Sequence, residues 1–311
     1  MSTKILDSTQ PNIAIAASLL LNGGTVAFPT ETVYGLGANA LCSDAVAKIF
    51  AAKGRPSDNP LIVHIANPDD VNHVAREVSE KSKLLMARFW GGPLTLVLKR
   101  QPNVPDIVTA GLDTVGVRMP ANEIALELIR EAGVPLAAPS ANISGKPSPT
   151  AFSHVKTDLL GKVDAIIDGG SCGVGLESTV IDMTREIPII LRPGGVSREE
   201  IESVIGAVEV ANSEISAENV APIAPGMKYK HYAPNAKIVI CDVADLPLAS
   251  EKVGILTFDL NEPESAARDL FAKLREFDDL GVDVIYASDV PNDGLWAAVR
   301  NRLHKAAGKI V

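Results

Sequence analysis

Lys53-Gly54-Arg55-Pro56-Ser57-Asp58-Asn59-Pro60-Leu61-Ile62-Val63-His64 joins a helical pattern to a short apolar strand, so it reads as one step of an α/β chain. Two cations sit two residues apart around a glycine, and two prolines follow. Proline fixes φ and restricts the residue before it, so the loop is partly pre-shaped. A stiff loop carrying Lys53, Arg55, Asn59 and a strand-end His64 suits an anionic ligand such as a polyphosphate. A Lys-x-Arg pair alone also fits an exposed basic turn.

Upstream, Pro11, an apolar run through Leu21 and a stop at Gly23 predict a first helix, and Thr25–Phe28 a strand. Pro29–Gly37, rich in hydroxyls and glycine, reads as a loop. Ser43-Asp44 then caps a helix containing Val46, Ile49 and Phe50. Downstream, strands are expected at Leu61–Ile65, Leu94–Leu98, Thr114–Arg118, Val134–Ala138, Ala165–Ile167, Thr179–Asp182 and Ile189–Leu191. Helices are expected at Ser79–Trp90, Asn122–Ala132 and Arg198–Ile205, the last capped by Ser197. Interleaved helices and strands predict a twisted mixed sheet with helices on it. The segment 207–236 has linker punctuation, with unusual Tyr, Lys and His density in Lys228-Tyr229-Lys230-His231-Tyr232. Strands at Lys237–Cys241, Val253–Phe258 and Val282–Tyr286, with helices at Glu262–Phe277 and Leu295–Ala307, predict a small C-terminal Rossmann-like α/β unit over 237–311, after a first unit over 1–206.

The chain has 311 residues, 46% hydrophobic and 22% charged, with a net charge of -9. That composition indicates a soluble globular protein and argues against strong unassisted binding to nucleic acid. Cys42, Cys172 and Cys241 are isolated, so neither a structural zinc site nor a disulfide framework is expected. Ile13–Leu21 is apolar, but it lacks the basic flank of a signal peptide, and no run is long enough to span a bilayer. The expected location is the cytoplasm, with no membrane partner.

Phosphate-loop, dinucleotide-binding and nucleophile-elbow motifs are absent, and no H-E-x-x-H occurs. What remains is loops at strand ends, where ligands of α/β sheets gather. Pro139-Ser140-Ala141-Asn142 follows a buried strand, although its polar side chains could serve only the turn. Glu177-Ser178-Thr179 and Leu191-Arg192-Pro193-Gly194-Gly195 flank strands. Arg192 suits a phosphate or a surface ion pair.

Taken together, Pro29–Leu36, Lys53–Pro56, Asn59–Leu61, Gly116–Pro120, Ala138–Asn142, Glu177–Val180 and Leu191–Gly194 resemble the Sua5/YrdC/YciO family. The linker Pro225–Pro234 matches its long, Sua5-type form. The resemblance covers essentially the whole chain and is weakest in the last seventy or so residues.

The resemblance implies an adenylate-forming nucleotidyltransferase. Such an enzyme joins L-threonine, bicarbonate (or CO2) and ATP into threonylcarbamoyl-AMP and pyrophosphate. A separate threonylcarbamoyl transferase complex then modifies adenosine 37 of tRNA, and weak tRNA binding is the most the charge allows. Carbamoyl transferases of hydrogenase maturation share a related domain, but they would bring zinc-finger and acylphosphatase-like units that this chain lacks. By the resemblance, Lys53, Arg55 and Arg192 contact phosphates, Lys53 and Arg55 being the catalytic candidates. Asn59, Thr114, Ser140, Asn142 and Ser148 hydrogen-bond ATP. Thr32, His64, Arg118, Ala138 (through its backbone) and Ser178 face L-threonine. Mg2+ is expected on the ATP phosphates, with no protein ligands and no organic cofactor. His231 and Tyr232, with Tyr229, would fold over the nucleotide as a lid, with Lys228 and Lys230 near the phosphates. The linker as plain spacer, His64 as a core histidine, Arg118 as a structural ion pair and Tyr34 as packing are the competing readings.

Overall fold

The structure is a computed structural model and describes residues 2–211, 231–241 and 252–308. Lys228, Tyr229 and Lys230 lie outside the described residues. The main sheet is mixed and twisted, as expected. Its strands run, edge to edge, Lys4–Asp7, Ala165–Asp168, Val26–Phe28, Gly35–Asn39, Leu136–Ala137, Ile62–His64, Thr114–Arg118, Leu94–Arg100, Thr179–Asp182, Ile189–Arg192 and Glu209–Val210, with Ala75–Arg76 added on Leu94–Arg100.

Helices cover both faces. Gln10–Leu21 and Glu123–Ala132 pack together over Val26, Phe28, Leu136, Ala165 and Ile167. Ser43–Lys53, Glu80–Phe89, Phe152–Leu159 and Arg198–Ile205 cover the other face around Leu36, Val63, Leu96 and Val117. Local chemistry explains several ends. Ser79 and Asn122 accept bonds from backbone N–H groups of the first turn, and Ser197 with Glu200 forms a reciprocal capping box.

Two expectations are corrected and one helix is added. Residues 35–37, expected as the end of the 29–37 loop, instead open the strand Gly35–Asn39, antiparallel to Val26–Phe28. Its glycines admit a ring rather than a turn, since a Cβ on Gly37 would lie 2.7 Å from Cε1 of Phe28. Ser43 does not cap its helix; Cys42 occupies the cap without a side-chain bond, and Ser43 is the first helical residue. Phe152–Leu159, unassigned in the sequence reading, is a helix with Val155 and Leu159 buried.

The second sheet is three-stranded and parallel, in the order Lys237–Ile240, Val284–Ala287, Val253–Leu256. Helices Pro263–Leu280 and Trp296–Ala306 pack on it. This unit is not a free appendage. Val33 and Leu176, from loops of the main sheet, belong to its apolar cluster beside Tyr232, Leu270 and Phe271. Arg275 crosses to Asp158 at 2.8 Å and to the carbonyl of Pro147 at 2.6 Å.

Candidate active site

Strand register builds the site. Ile62–His64 and Thr114–Arg118 are parallel, with His64 opposite Arg118, so both end at the same edge of the sheet. Ile189–Arg192 ends there too, and Thr179–Asp182 begins there, paired with Leu94–Val97. The loops are stitched by backbone bonds. Leu36 N–H donates to Pro139 O, Ala141 N–H to Tyr34 O, and Ala138 N–H to Ile62 O. A cavity of about 60 Å³ lies between them.

Most of the expected residues line this cavity: Thr32, Lys53, Arg55, His64, Arg118, Ala138, Ser140, Asn142, Ser178, Arg192, His231 and Tyr232. Asn59, Thr114 and Ser148 do not line it. Thr114 starts the strand whose other end carries Arg118, about 13 Å along an extended chain. Asn59 is buried with both side-chain polar atoms unpaired among the described residues, while its carbonyl accepts from Arg55 Nη2 at 3.3 Å. Ser148 is fully buried and donates to Glu177 Oε1.

Lys53 is not an exposed basic turn; it is 1% exposed. Its Nζ donates to the carbonyls of Ser140 and Asn142 and reaches Asn142 Oδ1 at 3.4 Å. Burial and the neighbouring Arg55 push its pKa well below the usual lysine range. The three oxygens match the three donors of an ammonium. The ammonium therefore clasps the Ser140–Asn142 loop against the helix end, and the other cations lining the cavity are Arg55, Arg118, Lys146 and Arg192.

Arg118 is doubly committed. Nη2 pairs with Glu31 Oε1 at 2.6 Å, Nη1 donates to Thr32 Oγ1 at 3.0 Å, and Nε donates to Gly92 O at 3.2 Å. The structural ion-pair reading thus holds. Glu31 keeps its second oxygen, Oε2, buried and unpaired among the described residues. His64 is buried beside Arg118, and burial and then that charge hold its pKa down at about 3, so the ring is neutral at ordinary pH. Tyr34 donates its hydroxyl to Gly170 O, which is a packing role.

Arg192 donates through Nε and Nη2 to Ser178 O at 3.2 and 2.9 Å, and Nη2 also reaches Ser178 Oγ. Next to Ser178, Glu177 is 7% exposed. Burial alone would raise its pKa, but Arg302 and Arg192 outweigh burial and hold it at about 2. His231 sits at about 3 through burial and Arg55, and its ring lies 5.6 Å from that of Tyr232. Tyr232 takes a φ of 65°, a conformation uncommon outside glycine.

Three residues escaped the sequence reading as site residues: Glu31, Glu177 and Arg302. The glutamates stand inside quoted motifs, so adjacency to Thr32 and Ser178 was an available signal. Arg302 had none, because its partner is 125 residues away.

Residues 18–194 match the Sua5/YciO/YrdC family model, described as "Telomere recombination". Residues 196–308 match a model described as the threonylcarbamoyl-AMP synthase C-terminal domain. The chain belongs to the Sua5/YrdC/YciO family, in its long Sua5 form. Among its Sua5-type relatives, the threonylcarbamoyl-AMP synthase of Pyrococcus abyssi is 50% identical, over 95% of this chain and 94% of the relative. That of Bacillus subtilis is 48% identical, over 98% and 96%. A crystal structure of P. abyssi Sua5 complexed with L-threonine superposes with a TM-score of 0.93 at 48% identity, covering 98% of each chain. The crystal structure of E. coli YciO covers 62% of this chain, at a TM-score of 0.56 and 26% identity.

Among the described residues no helix is long and apolar enough to cross a membrane, and no group of three or more His, Cys, Asp or Glu is placed to hold a metal ion.

Proposed function

We propose that this chain converts L-threonine, bicarbonate (or CO2) and MgATP into threonylcarbamoyl-AMP and pyrophosphate, in keeping with relatives named threonylcarbamoyl-AMP synthase. One observation carries the reading to particular residues. A single cavity is lined by Arg55 and Arg192 together with Thr32, His64, Arg118 and Ser178, Arg192 being bonded to Ser178. Arg55 and Arg192 suit phosphates, the other four a small zwitterionic amino acid.

The chemistry needs little acid–base help from the protein. The threonine amine takes up CO2 as a carbamate, and the carbamate oxygen attacks the α-phosphorus while pyrophosphate leaves. Two anions must converge, so the catalytic demand is charge neutralisation and alignment. Arg192 and Arg55 meet that demand at the phosphates. Lys53 acts by fixing Ser140 and Asn142. Arg118 takes the threonine carboxylate, exchanging part of its bond to Glu31. A neutral His64 adds no charge and offers a hydrogen bond. Mg2+ arrives with the nucleotide.

The cavity has one wall that could admit a nucleotide and then cover it. His231 and Tyr232, at the end of the 207–236 linker, are that wall. Their return would shield the labile anhydride from water. We assign the catalytic unit to 1–206 and the C-terminal unit to 237–311. We place the product's use with a separate tRNA-modifying transferase in the cytoplasm.

The test is pyrophosphate release from MgATP with threonine and bicarbonate each omitted in turn. Release requiring both, with the mass of threonylcarbamoyl-AMP detected before it hydrolyses, supports the reading. Release without threonine overturns it in favour of another acceptor or an ATPase.

A further inference from the structure

The C-terminal unit reaches the site with a fully buried cation. Arg302, on Trp296–Ala306, has 0% exposure. Its Nε donates to Glu177 Oε2 at 2.7 Å and its Nη1 to Asn301 Oδ1 at 2.8 Å. Its guanidinium lies 5.5 Å from the centroid of the Tyr232 ring. Glu177 Oε1 is taken by the Ser148 hydroxyl. Both oxygens of this carboxylate are therefore occupied, one from each unit of the chain.

A second arginine is close enough to compete. The charge of Arg192 acts directly on Glu177, and Arg192 is bonded to Ser178, the next residue in the chain. Yet none of the Arg192 hydrogen bonds goes to Glu177. They go to Ser178 O and Oγ, through Nε and Nη2. Nη1 makes no bond among the described residues, on a side chain that lines the cavity. A buried carboxylate must have a cation, because an unpaired charge in a low dielectric is expensive. Two arginines and one carboxylate leave one positive charge over, and Lys305, its pKa lowered to about 7 by burial, Arg302 and Arg192, stands beside the same cluster on the cationic side. One arginine and one carboxylate would leave none.

We infer that Arg302 is a positioning residue for the nucleotide: by holding Glu177 it keeps that carboxylate off Arg192, so that Arg192 presents its charge to the phosphates. The inference rests on the reading of the cavity as an ATP site. It gives the C-terminal unit a definite part in that site, although none of its residues need touch the substrate.

The experiment measures MgATP dissociation constants by calorimetry on the full-length chain. The variants are Arg302→Met, Glu177→Gln and the double variant, with thermal unfolding recorded for each. Arg302→Met should weaken MgATP by about tenfold or more, since Glu177 then neutralises Arg192, while threonine affinity moves by no more than about twofold. Adding Glu177→Gln should restore MgATP affinity to within about threefold of the parent, because the competitor is gone. A merely structural Arg302 would lower thermal stability and leave MgATP affinity of the folded protein unchanged, or weaken it in a way Glu177→Gln does not repair. Either result overturns the inference. Should Arg302→Met not fold, the double variant decides alone. It carries no unpaired buried charge, and a tenfold loss of affinity in it would count against Arg302 acting through Glu177. A parent chain that binds no MgATP removes the ATP reading itself. A parent that binds, with the wrong variant pattern, removes only the coupling.

Discussion

Two arginine–glutamate pairs each place one member, Arg118 or Glu177, in the cavity lining, and they differ in what each leaves over. In Arg118–Glu31 the arginine is bonded on all three of its nitrogens, and the glutamate keeps one oxygen unpaired among the described residues. In Arg302–Glu177 the carboxylate is bonded on both oxygens, and the arginine keeps an Nη2 unpaired among the described residues. The first pair therefore has acceptor capacity to spare, which suits the ammonium or hydroxyl of an amino acid. Around the second, donors are in surplus, which suits phosphate. The same two residue types thus build opposite environments, and the difference lies in what else each partner touches.

That contrast can be broken at its donor side first. Arg192→Ala should lower turnover by about 10²- to 10³-fold with the fold intact, the usual cost of removing a donor aimed at developing charge. A loss below about threefold would remove Arg192 from the phosphate role. Gly175→Ala tests whether the second pair depends on domain docking. Gly175 has a φ of 81°, and a Cβ there would lie 2.3 Å from Arg268 Cα. Backbone cannot yield as a side chain can, so a loss of about 3 kcal/mol or more is expected in denaturant unfolding. Parental stability would show that the helix Pro263–Leu280 can be displaced without penalty.

Acid should strain the cavity from two directions. His64 and His231 are both held at about 3, by burial together with Arg118 and Arg55 respectively, against about 6.5 in an unfolded chain. Both are neutral when folded, so the unfolded chain binds the extra protons as pH falls. Their contribution is complete above about 6.5 and declines below it, by up to about 1.4 kcal/mol per pH unit for each histidine. His154, lowered to about 4 by burial and Arg275, adds to the same slope. Melting temperatures recorded from pH 7.5 to 5 should fall, and His231→Gln should shallow the decline. A flat profile would mean that these rings are solvated.

On the acceptor side, Glu31→Gln should raise the KM for threonine about tenfold and leave that for ATP nearly unchanged, the cost of losing a charged acceptor. Equal effects on both substrates would erase the proposed division of the cavity. The smallest effect belongs to Lys146–Asp278, a 3.8 Å pair across the units whose lysine is 37% exposed. Asp278→Asn should change stability by less than about 1 kcal/mol. A larger loss would place the docking energy in this outer pair rather than at Arg302 and Arg275.

Much of the fold was legible because its signals are local. Ser197 and Glu200 announce a helix start three residues apart, and Thr114–Arg118 and Thr179–Asp182 appear as strands at the expected positions. The errors arose where a local sign had a distant cause. Gly35 and Gly37 looked like turn residues, and only the Phe28 ring packed on them explains a strand. Phe152–Leu159 is too short for its periodicity to stand out, yet it carries Asp158, the partner of Arg275. In the site, cavity-lining positions such as Thr32, Arg55 and Ser178 were found through motifs, while Thr114 was not brought to the cavity because strand direction carries it away.

The sequence by itself determined the order of elements, the loops that could bind anions, and the presence of a second small α/β unit after a linker. These depend on periodicity, caps and turn residues within a few positions of one another. Only the tertiary structure decided which glutamate each arginine holds. Arg118 and Glu31 are 87 residues apart, Arg302 and Glu177 are 125 apart, and nothing local distinguishes Arg302 from the other arginines of the chain. Burial decides the matter, because a charge removed from water must find its partner among whatever the fold brings within hydrogen-bond reach.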